Sequence, residues 1–316
     1  MPTNISDPFA KRLLRSMMGG DLPTLIPKIG FDVSYPRVEE VTGLPRERAF
    51  TLIQELYDEG YLERRLHTTV SRCPHDGTTC LRPRLFCPGC QSEDINRVPL
   101  IEHLNCGHVD MEKNFVSGED LKCPKCGRTL NQIGVDYRRP GYAYNCPSCG
   151  GVHPAPDEKW SCNYADHIFM MEDTQPEKVY SYTLSETRKG DILRVFQYIQ
   201  PIKETYENLG YEARTFQTVR GKSGISHLVD IYAKKETDRL VTSIARVLTE
   251  RGIKLEEVLK HYAISLDVDP TNSILIALPK LDRESEVYTK QFNLEVIEGD
   301  NLETVIQQLA SIVRNQ

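Results

Sequence analysis

The apolar positions of the first 72 residues recur at helical spacing. Pro36-Arg-Val-Glu-Glu-Val-Thr-Gly43 predicts a short helix ended by Gly43, and Pro45 opens a second. In that second helix Ala49, Leu52, Ile53, Leu56 and Tyr57 fall at i, i+3, i+4, i+7 and i+8, one buried stripe, and Gly60 stops it. Residues 61–70 read as the strands of a wing, and an earlier helix over 8–18 completes the bundle. This order predicts a winged helix-turn-helix over 1–72.

Beyond residue 190 helix and strand patterns alternate. A long helix over 190–209 carries Ile192, Val195, Phe196, Ile199 and Ile202 on one side. Strands follow over 210–219, 225–233 and 239–247, then a helix over 255–266, a strand over 274–278, a helix over 285–292 and a strand over 294–297. A final helix has Asp300/Asn301 as its cap and Leu302, Val305, Ile306, Leu309 and Val313 inward. The pattern predicts an α/β sandwich over 190–316. Residues 73–172 are rich in Cys, Gly and Pro with little periodicity, and 173–189 read as a polar linker. The fold class expected is therefore multi-domain α+β.

Composition narrows the classes. With 39% hydrophobic and 27% charged residues the chain is not a disordered one. No apolar run approaches the ~18 residues of a membrane span. The N-terminus has neither a basic nor an apolar leader region, so a cytoplasmic protein is expected. Lys+Arg number 39 against 45 Asp+Glu, a formal net charge of -6, which excludes a protein that coats polyanions wholesale. A nucleic-acid contact must use a local patch. The candidates are Arg46 and Arg48 at the start of the second helix and Arg64 and Arg65 on the wing, where they can meet one phosphate backbone. The alternatives are a solvated charged face or a protein-binding winged helix.

All ten cysteines lie between Cys73 and Cys162. Without export a disulfide scaffold is excluded, and the Cys-x-x-Cys spacing points to zinc. The tight pairs are Cys87/Cys90, His103/Cys106, Cys123/Cys126 and Cys146/Cys149. Grouping by order along the chain joins Cys73 and Cys80 to Cys87 and Cys90. His103 and Cys106 join Cys123 and Cys126. Cys146 and Cys149 take Cys162 and His167. That makes three closed, structural zinc sites, with His75, His108 and His153 to spare; His108 is an alternative to His103, and His153 to His167.

Two segments resemble known families. Gly221-Lys-Ser-Gly-Ile-Ser-His-Leu-Val-Asp230 resembles the Gly-x-Ser-Gly…His…Asp segment of the Mrr-like branch of restriction-endonuclease folds. That resemblance implies a metal-holding acid at Asp230 and a Glu-x-Lys on the next strand. Here the strand reads Leu240-Val-Thr-Ser-Ile-Ala-Arg246, so Asp230 and His227 are expected as relics, with Glu204, Glu207 or Glu212 as the places for a migrated acid. The segments around Cys106, Cys126, Asp136 and Cys149, with Trp160-Ser-Cys162, resemble the archaeal zinc module called the thaumarchaeal output domain, which implies regulation. The expectation is a non-catalytic, transcription-related regulator that contacts double-stranded DNA through the winged helix. Its zinc ribbons would be structural or would recruit transcription machinery. The alternatives are an adaptor for protein or RNA and a metal-dependent DNA nuclease.

Overall fold

The computed structural model describes residues 5–236, 240–249 and 251–314. It divides into two units. One comprises 1–28, 34–68 and 179–316, and the other 29–33 and 69–178. The helical N-terminal segment and the C-terminal α/β segment, expected as separate domains, therefore fall in the same compact unit. Arg239, expected to start a strand, lies outside the described residues. No helix among the described residues is long and apolar enough to cross a membrane.

In the first unit three helices come first: α1 (Pro8–Met18), α2 (Pro36–Thr42) and α3 (Arg46–Asp58). Asp7 caps α1 by accepting the Phe9 N–H at 2.8 Å, with Pro8 at the first helical position. Gly43 ends α2 with φ 75°, a conformation that side chains with a Cβ resist. Ala49, Leu52, Ile53 and Leu56 are the buried face of α3, as their spacing predicts, whereas Tyr57, read as part of the same stripe, is half-buried.

A small sheet has the order β1 (Thr24–Leu25), β3 (Gln175–Leu184), β2 (Leu62–Arg72). This corrects two expectations. The segment 61–70 does not fold back on itself: from Leu62 on it belongs to one strand, β2. Its partner β3 falls within 173–189, the segment read as a linker. Only the first half of β3 is polar; Val179 and Tyr182 are buried, and Thr183 and Tyr182 pair with Thr24 and Leu25. Aromatic and β-branched residues favour a pleated surface, and they dominate the second half.

The rest of this unit is a five-stranded sheet, in the order β4 (Glu212–Arg220), β5 (Ser226–Glu236), β6 (Leu240–Leu248), β7 (Asn272–Ala277), β8 (Glu295–Glu298). Strands β4 to β6 are antiparallel, and β6 to β8 are parallel. Helix α4 (Lys189–Asn208) precedes the sheet, α5 (Leu255–Val268) and α6 (Arg283–Gln291) connect its parallel strands, and α7 (Leu302–Arg314) follows. Ile274, Leu275, Ile276 and Ala277 are consecutive and wholly buried, the mark of a strand covered on both faces.

Helix α1 packs against this sheet. Lys11 is wholly buried there; its Nζ donates to Asp230 Oδ2 and to the Val247 carbonyl, each at 2.7 Å. Arg15 donates to Thr215 Oγ1 at 2.7 Å, and its guanidinium sits over the Phe216 ring.

The second unit contains two larger sheets of short strands. One has the order Ile168–Phe169, Asp157–Cys162, Leu81–Phe86; the other Val152–His153, Tyr137–Asn145, Asn96–His103, His108–Met111. Its apolar clusters are small. One gathers Ile101, Phe115, Cys123 and Leu130, another Cys73, Cys162 and Phe169. Cysteines belong to both clusters, so the packing and the candidate ligands are the same atoms.

Candidate metal centres and nucleic-acid face

Four segments of the second unit share one backbone turn. In each, the N–H four residues after a cysteine returns to that cysteine's carbonyl. These bonds are Gly77 to Cys73 at 3.0 Å, Gln91 to Cys87 at 2.8 Å, Gly127 to Cys123 at 2.9 Å and Gly150 to Cys146 at 2.8 Å. In each the cysteine N–H donates to the carbonyl five residues on: Thr78, Ser92, Arg128 and Gly151. All four turning residues have positive φ, from 61° at Gln91 to 74° at Gly77 and Gly150. The turns aim N–H groups at sulfur. At Cys123, burial pushes the thiol up, but the N–H groups of Cys126 and Lys125 together with His103 and Cys106 outweigh it and bring it to about 6. At Cys146 burial is likewise outweighed, chiefly by the Cys149 N–H, and the thiol falls to about 7.

Three clusters result. Cys87 and Cys90 meet Cys146 and Cys149; His103 and Cys106 meet Cys123 and Cys126; Cys73 and Asp76 meet Cys162 and His167. Within each, the ligand atoms lie within 4.8 Å of one another. A tetrahedral zinc with bonds of about 2.3 Å holds its sulfurs about 3.8 Å apart. The observed separations are 3.7 Å for Cys87–Cys149, 3.6 Å for Cys90–Cys146 and 3.6 Å for Cys106–Cys123. Disulfide sulfurs lie about 2 Å apart, so these pairs fit a metal rather than a bond. The three clusters could hold metal ions such as zinc.

The grouping differs from the expected one. Only the His103, Cys106, Cys123, Cys126 set comes together as read from order along the chain, with His108 outside it. Cys87 and Cys90 take Cys146 and Cys149 as partners instead of Cys73 and Cys80. Cys162 and His167 take Cys73 and Asp76. Cys80 belongs to no cluster, and its Sγ contacts the Gly30 carbonyl at 3.4 Å. His153 lies beside the four-cysteine cluster, Nε2 3.5 Å from Cys87 Sγ, and the His75 ring lies tilted beside that of His167 with ring centroids 4.8 Å apart. Sequence reasoning missed Asp76. The signal was present, because Cys73-Pro-His-Asp-Gly77 matches Cys123-Pro-Lys-Cys-Gly127 and Cys146-Pro-Ser-Cys-Gly150 with Asp for the second Cys.

The arginines lie in the first unit. Arg46 and Arg48 are exposed on the first turn of α3, and Arg65 is exposed on β2. Arg64 is held between two rings, its guanidinium carbon 4.3 Å from the centroids of both Tyr57 and Tyr180. A cation stacked this way is positioned by aromatic faces.

At the C-terminal sheet, Asp230 faces Lys11 and accepts the Val247 N–H at 2.8 Å. Glu204, Glu207 and Glu212 are exposed, whereas Asp230 is fully buried, so none of them supplies a second acid beside it. His227 has a different partner, Asp267, with Nε2 2.6 Å from Oδ2. Ser223 donates to the same carboxylate through its N–H and its hydroxyl, both at 2.7 Å. A Cβ at Gly221 would meet Asp267 Oδ2 at 2.0 Å. The Gly-Lys-Ser-Gly…His segment is thus shaped around a carboxylate from the last turn of α5.

A family model described as Thaumarchaeal output domain 1 matches residues 5–184, from just before α1 to the last residue of β3. No curated protein matches the chain. Among solved structures the chain is similar to the protein of unknown function AF1548, at 17% identity and TM-score 0.30 over 37% of this chain; it spans 66% of that protein's length. It is also similar to EndoMS in apo form, at 12% identity and TM-score 0.21, covering 81% of this chain and 94% of that one. A repair endonuclease from Pyrococcus abyssi matches at 13% identity and TM-score 0.20, covering 80% and 95%.

Proposed function

The chain belongs to the Thaumarchaeal output domain 1 family, and from that premise we propose that it is a non-catalytic, nucleic-acid-binding regulator. The observation that carries this reading is the placement of Arg46, Arg48 and Arg65 on the exposed first turn of α3 and on β2. In this reading α2 and α3 are the helices of a winged helix and β2 and β3 are its wing. The metal-binding unit is then, in chain order, an insertion between the two wing strands. Duplex DNA is the partner: the first turn of α3 enters the groove, and the arginines neutralise phosphates. The three clusters hold zinc, which supplies folding energy that the small apolar clusters of that unit lack.

The non-catalytic part of the reading is supported by Asp230. Its carboxylate is engaged by an internal ammonium, and Glu204, Glu207 and Glu212, the places for a migrated acid, are exposed. Holding Mg²⁺ at a phosphate takes more than one such oxygen ligand. A second reading, an adaptor for a protein partner, is favoured by charge: residues 29–33 and 69–178 carry 12 basic against 16 acidic side chains. Binding of the full chain to random-sequence duplex across a salt titration, with a Mg²⁺ cleavage readout, separates the readings. Salt-dependent binding without cleavage supports the regulator. Absence of binding supports the adaptor, and cleavage lost in Asp230→Asn supports a nuclease.

A further inference from the structure

The three clusters are not equivalent in donor chemistry. Two are closed sets of thiolates and imidazole, four cysteines in one and three cysteines with His103 in the other. The third has two thiolates, from Cys73 and Cys162, with His167 and the carboxylate of Asp76. Asp76 stands at the fourth position of a Cys-Pro-x-Cys-Gly turn, and the turn itself is intact. The Gly77 N–H reaches the Cys73 carbonyl at 3.0 Å, and Gly77 has φ 74°. The backbone therefore offers a place built for a thiolate, and the sequence fills it with an oxygen ligand. That position is the solvent-facing one in every such turn: Cys90, Cys126, Cys149 and Asp76 are exposed, while Cys87, Cys123, Cys146 and Cys73 are buried.

We propose that the Cys73, Asp76, Cys162, His167 cluster is an exchangeable site for a divalent thiophilic cation, with Asp76 as its displaceable ligand. The inference rests on the reading that the clusters hold metal. Zinc is borderline-soft and binds thiolate more firmly than a single carboxylate oxygen. Asp76 also has another partner to hold it once it has let go: its Oδ1 accepts the Thr78 N–H at 3.0 Å. Detached, it leaves a metal held by two cysteines and a histidine, a three-ligand set with an open fourth position on the solvent side. The other two clusters have no such exit.

Metal release from the full-length protein tests this. The zinc-loaded and cobalt-substituted forms are mixed with excess EDTA, and metal loss is followed with the thiolate-to-cobalt absorbance. One equivalent of three should leave at least about tenfold faster than the others. It should take with it the share of absorbance due to two of the nine thiolates in the clusters. Asp76→Cys should merge that phase with the slow ones, and Asp76→Asn should quicken it. Release in a single phase, or a first phase carrying the absorbance of three or four thiolates, overturns the proposal, as does an unchanged fast phase in Asp76→Cys. If Asp76→Cys does not fold, the wild-type phases and their absorbance shares decide alone. Failure of the underlying reading looks different: fewer than three equivalents are bound at the outset, and Cys162→Ser does not lower the metal content.

Discussion

Lys11 Nζ and Asp230 Oδ2 lie 2.7 Å apart, and both side chains are wholly removed from solvent. The ammonium has a second acceptor in the Val247 carbonyl, and the carboxylate a second donor in the Val247 N–H. A helix from the start of the chain is thus joined by charge to the middle of the C-terminal sheet. Burial pulls the Lys11 ammonium below its usual range, while the Asp230 carboxylate opposes that pull.

Removing one member of such a pair leaves the other charge buried and unpaired, which costs about 3–5 kcal/mol. Lys11→Met should therefore destabilise the first unit by that amount in denaturant unfolding. Lys11→Met with Asp230→Asn should recover more than half of the loss, because Asn removes the charge but still accepts the Val247 N–H. A loss below about 1 kcal/mol for Lys11→Met would mean that the pair does not tie α1 to the sheet.

Much of this architecture was legible in the residues. The stripe Ala49, Leu52, Ile53, Leu56 is the buried face of α3, and the alternation beyond residue 190 matches β4 to β8 and their helices in order. Periodicity reports one element at a time, however. It could not show that β2 pairs with β3, more than a hundred residues further on, because the partner's first half is polar. Cysteine spacing gave the tight pairs but not which pairs meet, since that is set by how distant turns stack. Asp76 escaped because only Cys and His were counted as ligands. Lys11 escaped because a helix face that buries Leu14 is expected to be apolar, and a lysine there reads as surface.

Cys87→Ser and Cys146→Ser each damage the same site, so each should lose one zinc of three by elemental analysis, and the double variant should still hold two. If Cys87 and Cys146 served separate metals, the double variant would hold one.

Arg46 and Arg48 should matter to DNA through charge more than through shape. Each phosphate contact releases condensed counterion and adds about 0.9 to the slope of log affinity against log salt. Replacing both arginines with alanine should lower that slope by roughly two and weaken binding uniformly across sequences. Arg64→Ala should act differently, by loosening Tyr57 and Tyr180, and should register in stability as well as in binding. An unchanged slope in the Arg46/Arg48 double variant would count against the regulator reading and for the adaptor.

Asp267 makes the stability of the fold depend on pH in the acid range. His227, then the hydroxyl and N–H of Ser223, hold its carboxyl at about 2, below the ordinary 3.8. A folded-state value below the unfolded one means the unfolded chain takes up the proton first as pH falls. The stabilisation is therefore complete above the unfolded value, begins to fade near pH 4, and is lost as pH drops through about 2. Asp267→Asn cannot titrate, so the variant's thermal midpoint should fall less steeply than the wild type's across that window. Metal loss in acid affects both proteins alike and cancels in the comparison. Above pH 5 or so the variant should be the less stable of the two, because an amide is a weaker acceptor for His227 and Ser223 than a carboxylate. Parallel curves through the acid window would show that the Gly221–Gly224 turn does not depend on the ionised form of Asp267.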